Sequence, residues 1–415
     1  MLTLRDGFGG MHAEAGGELI DGDQEEIRNL ATELGLRQVR ILGGGFAHYR
    51  LGADGRRRMR ASSAGWKETE RAIEPLVRKY KLNGEEWEGP ITASIAGQSI
   101  AEWLKRIGQT RGKDSSRGFD LTTVSATARM MRGFFVADPE ELSLITYVEQ
   151  FAEENDPATR KMYRIRGGND RLPEGIATAL HGPVQLSHVV RRIRQTRKNA
   201  RVTVENNHGQ RREIVADYVL VTAPAPIAAA IEFDPNLPDA QQKALAGLQY
   251  GRATKTLLQF DSHPWRGRGR PRACATDLDV GAVWDASEEQ RGAQAILALL
   301  AGGGASDATK KLIQRGGVES LARSLNFFGV KRARVIAMGS VTWEDDPWAR
   351  GAYAFFDPAF RPSERSLLRA PWRRIFFAGE HTSIKWQGYM NGAIESGLRA
   401  AEEIAITAGA SDPNR

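Results

Sequence analysis

The apolar positions near the C-terminus change their spacing within a short stretch, from a continuous run to a helical repeat. Ile375 to Ala378 is an unbroken apolar run ended by Gly379, which is typical of a strand buried on both faces. Farther along, apolar residues recur at helical spacing, and we expect this helix to begin near Gly388. The repeat consists of Ala393, Ile394, Gly397, Leu398, Ala401 and Ile404. The stretch therefore predicts a strand in the middle of a sheet, a loop and a helix.

Small residues leave one face of this predicted C-terminal helix without bulk. They are Gly392, Ser396 and Gly397, and a flat group could lie against them. The amides at the start of the helix carry partial positive charge and favour an anion. The same spacing is also typical of an ordinary buried strand and helix that pack through small residues. On pattern alone, a ligand site and plain packing both stay open.

Earlier in the chain, amphipathic spacing predicts helices from about Gln24 to Leu34 and from Lys67 to Leu82. A helix capped by Ser99, with Glu102 three residues on, has the pattern of a capping box. Asp138 is predicted to cap a further helix with Pro139 at its first position. Alternating or continuous apolar runs predict strands around Val184–Ile193, Val202–Glu205, Tyr218–Thr222 and Tyr250–Phe260. Mixed helices and strands indicate an α/β protein.

Composition narrows the class of protein. The chain has 415 residues, of which 41% are apolar, enough for a large core and two or three domains. No apolar run approaches a membrane span, and the first residues lack the order of a secretory signal. Cys274 is the only cysteine, which excludes an internal disulfide. We therefore expect a cytoplasmic protein in a reducing compartment.

The charge and the histidines exclude several functions. A formal net charge of +7 comes from scattered arginines without interleaved aromatic residues, so solvated arginines explain it better than nucleic-acid binding. The seven histidines show no metal-ligand spacing, and no Gly-x-Ser-x-Gly elbow is present. We expect no metal site and no acyl-transfer chemistry.

The C-terminal motif carries a family resemblance. Phe377-Ala-Gly-Glu-His-Thr, followed by Trp386-Gln-Gly-Tyr-Met-Asn-Gly-Ala-Ile-Glu-Ser-Gly, resembles the flavin motif of the flavin-containing amine oxidases, which include monoamine, polyamine and L-amino-acid oxidases. The resemblance implies the two-domain α/β fold of that family and non-covalent FAD. By it, Glu380 and Thr382 lie near the ribityl and pyrophosphate part of FAD. The residues that this motif contributes to the cofactor site are Gly379, Glu380, Thr382, Gly388, Tyr389 and Met390.

The beginning of the chain departs from the family pattern. Arg5-Asp-Gly-Phe-Gly-Gly resembles the segment that follows the family's first phosphate-binding βαβ unit, so that unit is expected to be missing and the fold N-terminally truncated. Gly9 and Gly10 are the expected cofactor contacts here. Thr3 stands where the family has a ribose-binding Glu, and Met11 where it has an Arg. We therefore expect weak FAD binding by the chain as given.

The resemblance also assigns the reacting groups. Taken alone, Lys255 on a Thr-flanked strand is typical of a solvated surface lysine. In the family, the lysine at this position holds a water against flavin N5, and its charge favours electron transfer to oxygen. Tyr353 and Tyr389 match the two walls of the aromatic cage, so the expected catalytic residues are Lys255, Tyr353 and Tyr389. Val190 and Trp348 complete the expected FAD contacts. Ala352 falls where monoamine oxidases carry a flavin-linked cysteine.

These assignments predict a discontinuous two-domain protein. Residues 1–50, 161–232 and 340–415 would form the FAD-binding domain, and residues 51–160 and 233–339 the substrate-binding domain with a helical cap. The predicted activity is oxidation of an amine or amino acid to an imine, with O2 reduced to H2O2. The predicted partners are that small molecule and O2, without nucleic acid or membrane, and a homodimer is left open.

Two other functions stay open. One is a truncated, catalytically silent homologue that binds FAD weakly or not at all. The other, a desaturase or porphyrinogen oxidase of the same fold, is weakened by Lys255 and by the Tyr353 and Tyr389 pair.

Overall fold

The computed structural model describes residues 1–51, 57–60, 64–111, 121–152 and 161–409. Its helices are α1 (Glu25–Glu33), α2 (Ala64–Leu82), α3 (Pro90–Ala96), α4 (Ile100–Arg111), α5 (Leu121–Phe135), α6 (Leu144–Ala152), α7 (Arg171–Ala179), α8 (Ala225–Ala228), α9 (Asp239–Gly247), α10 (Gly304–Ser324, kinked at Gly317) and α11 (Met390–Thr407). None of these helices is long and apolar enough to cross a membrane.

The strands of the described residues form six sheets. They are β1 (Thr3–Leu4), β2 (Ala13–Glu14), β3 (Ile20–Asp21), β4 (Gln38–Ile41), β5 (Phe46–Leu51), β6 (Arg57–Arg60), β7 (Met162–Ile165), β8 (His188–Gln195), β9 (Ala200–Asn206), β10 (Arg211–Ala216), β11 (Val219–Val221), β12 (Glu232–Asp234), β13 (Gln249–Tyr250), β14 (Ala253–Phe260), β15 (Ala273–Thr276), β16 (Ala282–Asp285), β17 (Ala295–Gly302), β18 (Val335–Thr342), β19 (Ala354–Phe355) and β20 (Ile375–Phe377).

The largest sheet has seven strands in the order β18-β14-β17-β16-β15-β5-β6. Every residue of β14 is buried, because β17 and β18 pair with it antiparallel on both sides. Leu258 and Phe260 pack into one apolar cluster of this sheet, while Leu257 packs into another. Lys255 is therefore carried on a strand whose surroundings are otherwise mostly apolar.

The strand predicted near the C-terminus is present and buried, but its predicted position in the middle of a sheet is wrong, because among the described strands it pairs only with β11 in a two-stranded sheet. Ile375–Phe377 forms β20, which pairs parallel with β11 in the register Val219 to Ile375. All three of its residues are buried, as expected for a continuous apolar run. The helix that follows begins at Met390, two residues past Gly388, and Tyr389 precedes it with extended backbone.

The small-residue face of α11 is used partly for packing. A Cβ at Gly392 would stand 2.1 Å from the carbonyl oxygen of Trp386, so the loop can approach the helix only where no side chain is present. The hydroxyl of Ser396 accepts a hydrogen bond from the backbone N–H of Gly379 at 2.9 Å. Only at Gly397 would an added Cβ meet open space. Packing thus accounts for two of the three small residues.

The two predicted helix caps have opposite outcomes. The capping box is confirmed, because Ser99 N–H donates to Glu102 at 2.9 Å and Glu102 N–H donates to the Ser99 hydroxyl at 3.1 Å. The cap predicted at Asp138 is wrong, since α6 begins only at Leu144 and the preceding residues form turns. The Asp138 carboxylate instead accepts from the backbone N–H of Gly304 at 2.6 Å, at the start of α10. It caps a helix distant in sequence.

Candidate active site

Lys255 is buried, with 3% of its surface exposed. Its ammonium group donates to the carbonyl oxygen of Gly16 at 3.0 Å and to a carboxylate oxygen of Glu18 at 2.7 Å. The same ammonium lies 5.0 Å from the ring centroid of Trp284. The solvated-lysine interpretation is therefore wrong for this residue. Lys255 thus contacts the Gly16–Glu18 turn through both hydrogen bonds.

Glu18 belongs to a buried chain of alternating charges that sequence reasoning missed. Its second oxygen accepts from Arg164 at 2.6 Å, and Arg164 also pairs with Glu289 at 2.9 Å. Burial opposes the charge of Glu18, but Lys255 and Arg164 together hold the pKa of its carboxyl below the usual range. A lysine on a strand as fully buried as β14 requires a counter-ion, but the strand alone does not indicate which acidic residue supplies it.

A second carboxylate, Glu14, lies one turn away in a different environment. It accepts from the backbone N–H of Asn169 at 2.9 Å and from the hydroxyl of Thr3 at 2.8 Å. Burial without a counter-ion raises the pKa of Glu14 to about 7. Asn169 also donates to the carbonyl oxygens of Gly17 and Glu18, at 3.1 and 2.9 Å. Asn169 thus fixes the backbone of the turn that carries the charge chain.

The turn at Gly16–Glu18 meets the start of α11. A Cβ at Gly17 would stand 2.8 Å from the sulfur of Met390, so the Met390 side chain lies directly over this glycine. One residue on, the side-chain oxygen of Asn391 accepts from the backbone N–H of Ile27 at 2.9 Å. These contacts bring the beginning and the end of the sequence together beside Lys255.

Tyr353 packs against the backbone that precedes Tyr389. A Cβ at Gly388 would stand 3.4 Å from the Tyr353 ring, and Gly388 has a φ of 81°. The Tyr353 hydroxyl donates a short hydrogen bond to the carbonyl oxygen of Phe134. Burial raises the pKa of Tyr353 above its usual range, so the phenol stays neutral. With its hydroxyl engaged, the ring face is the part of Tyr353 that remains for a ligand.

Glu380 links the backbone segment after Tyr353 to the segment before Tyr389. Its two oxygens accept from the backbone N–H groups of Ala354 at 3.1 Å and Gly388 at 2.8 Å, so one carboxylate joins the segments that carry the two tyrosines. Burial raises the pKa of Glu380, and the two backbone N–H groups oppose that shift. Tyr389 is 38% exposed, and its ring lies 5.8 Å from that of Trp386 in an edge-to-face arrangement.

The remaining predicted contacts lie around this centre. Thr382 is buried and donates to the carbonyl oxygen of Gly379, whose φ is 123°. Val190 lies on β8 and packs on the same apolar core as β20. Trp348 is 55% exposed in a turn closed by Asp346. Lys255 and Met390 both contact the Gly16–Glu18 turn, and Tyr353 packs on Gly388, whereas Trp348 lies on the surface.

Beside Gly9 and Gly10 the surface forms a partly open cleft of about 590 Å³. We call it the arginine cleft, and it is lined by Gly10–His12, Gly35–Arg37, Arg166–Gly167, Arg171 and Glu289–Arg291. Gly9 and Gly10 have φ values of 56° and 87°, and a Cβ at Gly10 would meet nothing within 4 Å. This open, positively charged surface fits an anionic group such as the phosphates of FAD.

Other chemistries find no support in the structure. Within the described ranges, no group of three or more His, Cys, Asp or Glu residues could hold a metal ion. Cys274 is fully buried, and burial raises the pKa of its thiol. Neither a metal centre nor a thiol nucleophile is available among these residues.

Comparison with known sequences finds related flavin-containing amine oxidoreductases. The family model for flavin-containing amine oxidoreductases matches residues 1–405. The protein AofH of Mycobacterium tuberculosis, named as a flavin-containing monoamine oxidase, is 25% identical over 428 residues, which cover 95% of this chain and 87% of AofH. The L-amino-acid oxidase of Siganus canaliculatus is 32% identical over 250 residues, which cover 58% of this chain and 47% of that protein.

Solved structures share the fold. Cyclohexylamine oxidase from Brevibacterium oxydans superposes with a TM-score of 0.81 at 21% identity, covering 98% of this chain and 91% of the oxidase. Putrescine oxidase with putrescine bound superposes with a TM-score of 0.80 at 21% identity, covering 97% of this chain and 90% of the oxidase. At this identity the likeness shows a common architecture.

Proposed function

The chain belongs to the family of flavin-containing amine oxidoreductases, whose cofactor is FAD, and on that premise we propose that it oxidises a primary or secondary amine, or an amino acid, to an imine. When bound, FAD would supply the redox chemistry, in which the carbon that bears the nitrogen loses a hydride and the nitrogen loses a proton to leave the imine, and these two electrons and two hydrogens convert O2 to H2O2. The observation that supports this proposal is the series of contacts that leads from Lys255 through the Gly16–Glu18 turn to Met390, the residue directly after Tyr389.

The two tyrosines would orient the substrate through their ring faces. Because the hydroxyl of Tyr353 is held by the carbonyl of Phe134, its ring and that of Tyr389 are the surfaces offered to the amine. A neutral phenol with a raised pKa does not accept a proton from the substrate. We infer that the tyrosines position the amine and take no part in proton transfer.

The buried ion pairs around Glu18 provide no base that could deprotonate the substrate ammonium. Glu18 is ionised and held between Lys255 and Arg164, so it is not free to act as a base. The nitrogen that reacts must carry a lone pair, and an ammonium ion does not. We infer that the substrate enters as the neutral amine, and that kcat/KM therefore rises with pH until the amine is deprotonated.

We propose that the chain divides into a cofactor-binding domain and a substrate-binding domain. Residues 1–50, 161–232 and 340–415 would hold FAD, while residues 51–160 and 233–339 would select the amine. Location in the cytoplasm and assembly as a homodimer stay predictions. The part of residues 51–160 that falls at 52–56, 61–63, 112–120 and 153–160 lies outside the described residues.

The direct test is to purify the protein with added FAD, record its visible flavin spectrum and measure peroxide formed from a panel of amines and L-amino acids. Tyr389→Ala should raise KM and lower kcat for the best substrate when both are expressed per bound flavin. Tyr218→Ala, which removes a ring covered by the guanidinium of Arg374, is the matched control. A flavin-loaded protein that forms no peroxide from any member of the panel would refute the oxidase function.

A further inference from the structure

Arg365 is a buried arginine that contacts both the proposed substrate-binding domain and the C-terminal motif. Only 3% of its surface is exposed. Its guanidinium carbon lies 3.9 Å from the ring centroid of Trp87 and 5.0 Å from that of Phe356. Its Nη1 atom lies 3.5 Å from a carboxylate oxygen of Glu149, which belongs to α6. The proposed oxidation gives Arg365 no role of its own.

The ion pair with Glu149 does not offset the cost of burying the two charges. Burial lowers the pKa of the Arg365 guanidinium and raises the pKa of the Glu149 carboxyl, although the two groups attract each other. The Nε atom of Arg365 has no hydrogen-bond partner in the described part of the chain. Packed apolar side chains often stabilise a fold at least as well as a buried ion pair does. Stability alone therefore does not explain a guanidinium at this position.

The guanidinium supplies two hydrogen bonds that an apolar side chain has no donor to make. Its Nη2 atom donates to the carbonyl oxygens of Ser383 at 3.4 Å and of Ile384 at 2.5 Å. These carbonyls stand at the beginning of residues 383–389, which we call the motif loop and which lead directly into α11. Hydrogen bonds from a charged donor are stronger than those between neutral groups. Arg365 therefore fixes the beginning of the motif loop.

Contacts within the motif loop connect Arg365 to Tyr389. The hydroxyl of Ser383 accepts from the backbone N–H of Trp386 at 2.9 Å. The carbonyl oxygen of Trp386 in turn accepts from the backbone N–H of Tyr389 at 3.1 Å. The rings of Trp386 and Tyr389 meet edge to face, with 5.8 Å between their centroids. The position of the Tyr389 ring thus depends on the segment to which Arg365 is bonded.

We propose that Arg365 is a positioning residue for Tyr389, and that it joins the motif loop to α6 through Glu149. The inference rests on the proposed function, in which the ring of Tyr389 orients the amine. A misplacement of about 1 Å far from the reacting atoms can slow an enzyme about 10²-fold. Two hydrogen bonds that fix the motif loop are therefore enough to affect turnover.

Hydrogen–deuterium exchange of the full-length protein tests the first part of the proposal. The double variant Arg365→Met/Glu149→Gln removes both charges together, so no unpaired charge stays buried, and its urea midpoint should stay close to that of the wild-type protein. Peptides that cover the motif loop should exchange about tenfold or more faster, because two charge-assisted hydrogen bonds are lost. Wild-type exchange of these peptides in the double variant would overturn the proposal.

Arg374→Met is the matched control for this measurement. The guanidinium of Arg374 also donates to two backbone carbonyls, those of Asp217 at 3.0 Å and Arg197 at 2.7 Å, and it also covers a ring, that of Tyr218. Its partners lie outside the motif loop, so exchange of the motif loop should stay unchanged in this variant. Equal acceleration in Arg374→Met and in the double variant would show a general loosening and would contradict a specific role of Arg365.

A double-mutant cycle tests whether Arg365 acts through Tyr389. In the wild-type background, Arg365→Met/Glu149→Gln should lower kcat/KM per bound flavin about tenfold. In the Tyr389→Ala background the loss should be less than about twofold, because the ring that Arg365 positions is absent. The same loss in both backgrounds would overturn the positioning role. If the wild-type protein forms no peroxide, the oxidase function fails, and the exchange measurement alone decides whether Arg365 fixes the motif loop.

Arg365→Lys provides the exchange measurement if the double variant does not fold. Its ammonium keeps a positive charge beside Glu149, but it lacks the planar group that lies on Trp87 and donates to both carbonyls. We expect faster exchange of the motif loop in this variant as well. Exchange at the wild-type rate would show that the guanidinium is not required.

Discussion

Glu18 lies 2.7 Å from the ammonium of Lys255 and, through its other oxygen, 2.6 Å from the guanidinium of Arg164. One buried carboxylate thus pairs with two cations that come from different sheets, and Glu289 supplies the second negative charge. Lys255 is positioned by this carboxylate and by the Gly16 carbonyl, so its orientation depends on a residue that is distant in sequence. Substitutions of Glu18 and of Lys255 separate the structural role of this contact from its catalytic role.

Replacing Glu18 by Gln should destabilise the fold by about 3–5 kcal/mol, because it leaves a buried cation without its counter-ion. The change keeps the volume of the side chain, so lost packing does not explain the result. Urea unfolding of the variant and the wild-type protein measures the effect. Glu205→Gln is the control, since it breaks exposed pairs with Arg191 and Arg211 and should change stability little. Equal stability of the Glu18 variant would show that the charge chain is not required.

Lys255→Met should slow the reoxidation of reduced flavin by O2 about 10²-fold, since a charge that acts on one step is lost, while substrate binding changes little. Stopped-flow absorbance after anaerobic reduction measures that step separately. Lys310→Met provides the control, because Lys310 is also paired, with Glu344 at 3.1 Å, but lies on α10. If the two variants reoxidise at the same rate as the wild-type protein, Lys255 has no role in the oxygen reaction.

The buried carboxyls Glu14 and Asp21 should make the protein less stable as the pH rises. Their pKa values are raised by burial to about 7, from 4.5 and 3.8. Between the unfolded and folded pKa values, the unfolded chain has released protons that the folded protein still binds. Unfolding free energy therefore falls across that window, by about 1.4 kcal/mol for each unit by which the pKa is raised, and is level above it.

Glu14→Gln tests this pH dependence. The amide stays uncharged, so the variant should lose less stability than the wild-type protein between about pH 4.5 and pH 7. Urea unfolding at half-unit pH intervals gives the slope for each protein. Glu25→Gln, at an exposed position of α1, should leave the slope unchanged. A wild-type protein whose stability rises across this range would contradict the prediction for Glu14.

Bound flavin should be released by acid precipitation. Ala352 offers no sulfur at the position where the resemblance implies a flavin-linked cysteine, so a thioether cannot form there. The absorbance of the supernatant after precipitation measures the released flavin. Ala352→Cys is a useful comparison, because flavin retained by that variant alone would show that residue 352 lies within bonding distance of the flavin. Flavin that stays with the wild-type polypeptide would contradict non-covalent binding.

The sequence predicted features that depend on near neighbours. The apolar run at Ile375 and the pairing of Ser99 with Glu102 are both decided within a few residues, and both are found. Asp138 stands before Pro139, as a local helix cap would, yet the backbone N–H that it caps belongs to Gly304, 166 residues away. Spacing cannot reveal such a partner, since the preference of Asp for a helix N-terminus does not say which helix is near.

The same limit applies to the candidate site. The motif around Tyr389 could be recognised because its residues are contiguous, whereas the partner of Lys255 is 237 residues distant in the sequence. No pattern in the sequence around Arg164 indicates burial, and only the folded chain shows that it lies buried between Glu18 and Glu289. Long-range pairing of charges was the missing information.

The ion pair of Glu289 with Arg164 restricts which changes the loop between β16 and β17 can accept. Such hairpin loops on protein surfaces normally tolerate insertions and exchanges. Here the loop supplies the carboxylate of Glu289 and the carbonyl of Ala286 to Arg164, at 2.9 and 2.5 Å. An insertion that lifted Glu289 away would leave Arg164 with Glu18 alone, in competition with Lys255. A loop grafted here from a relative therefore has to bring its own anion.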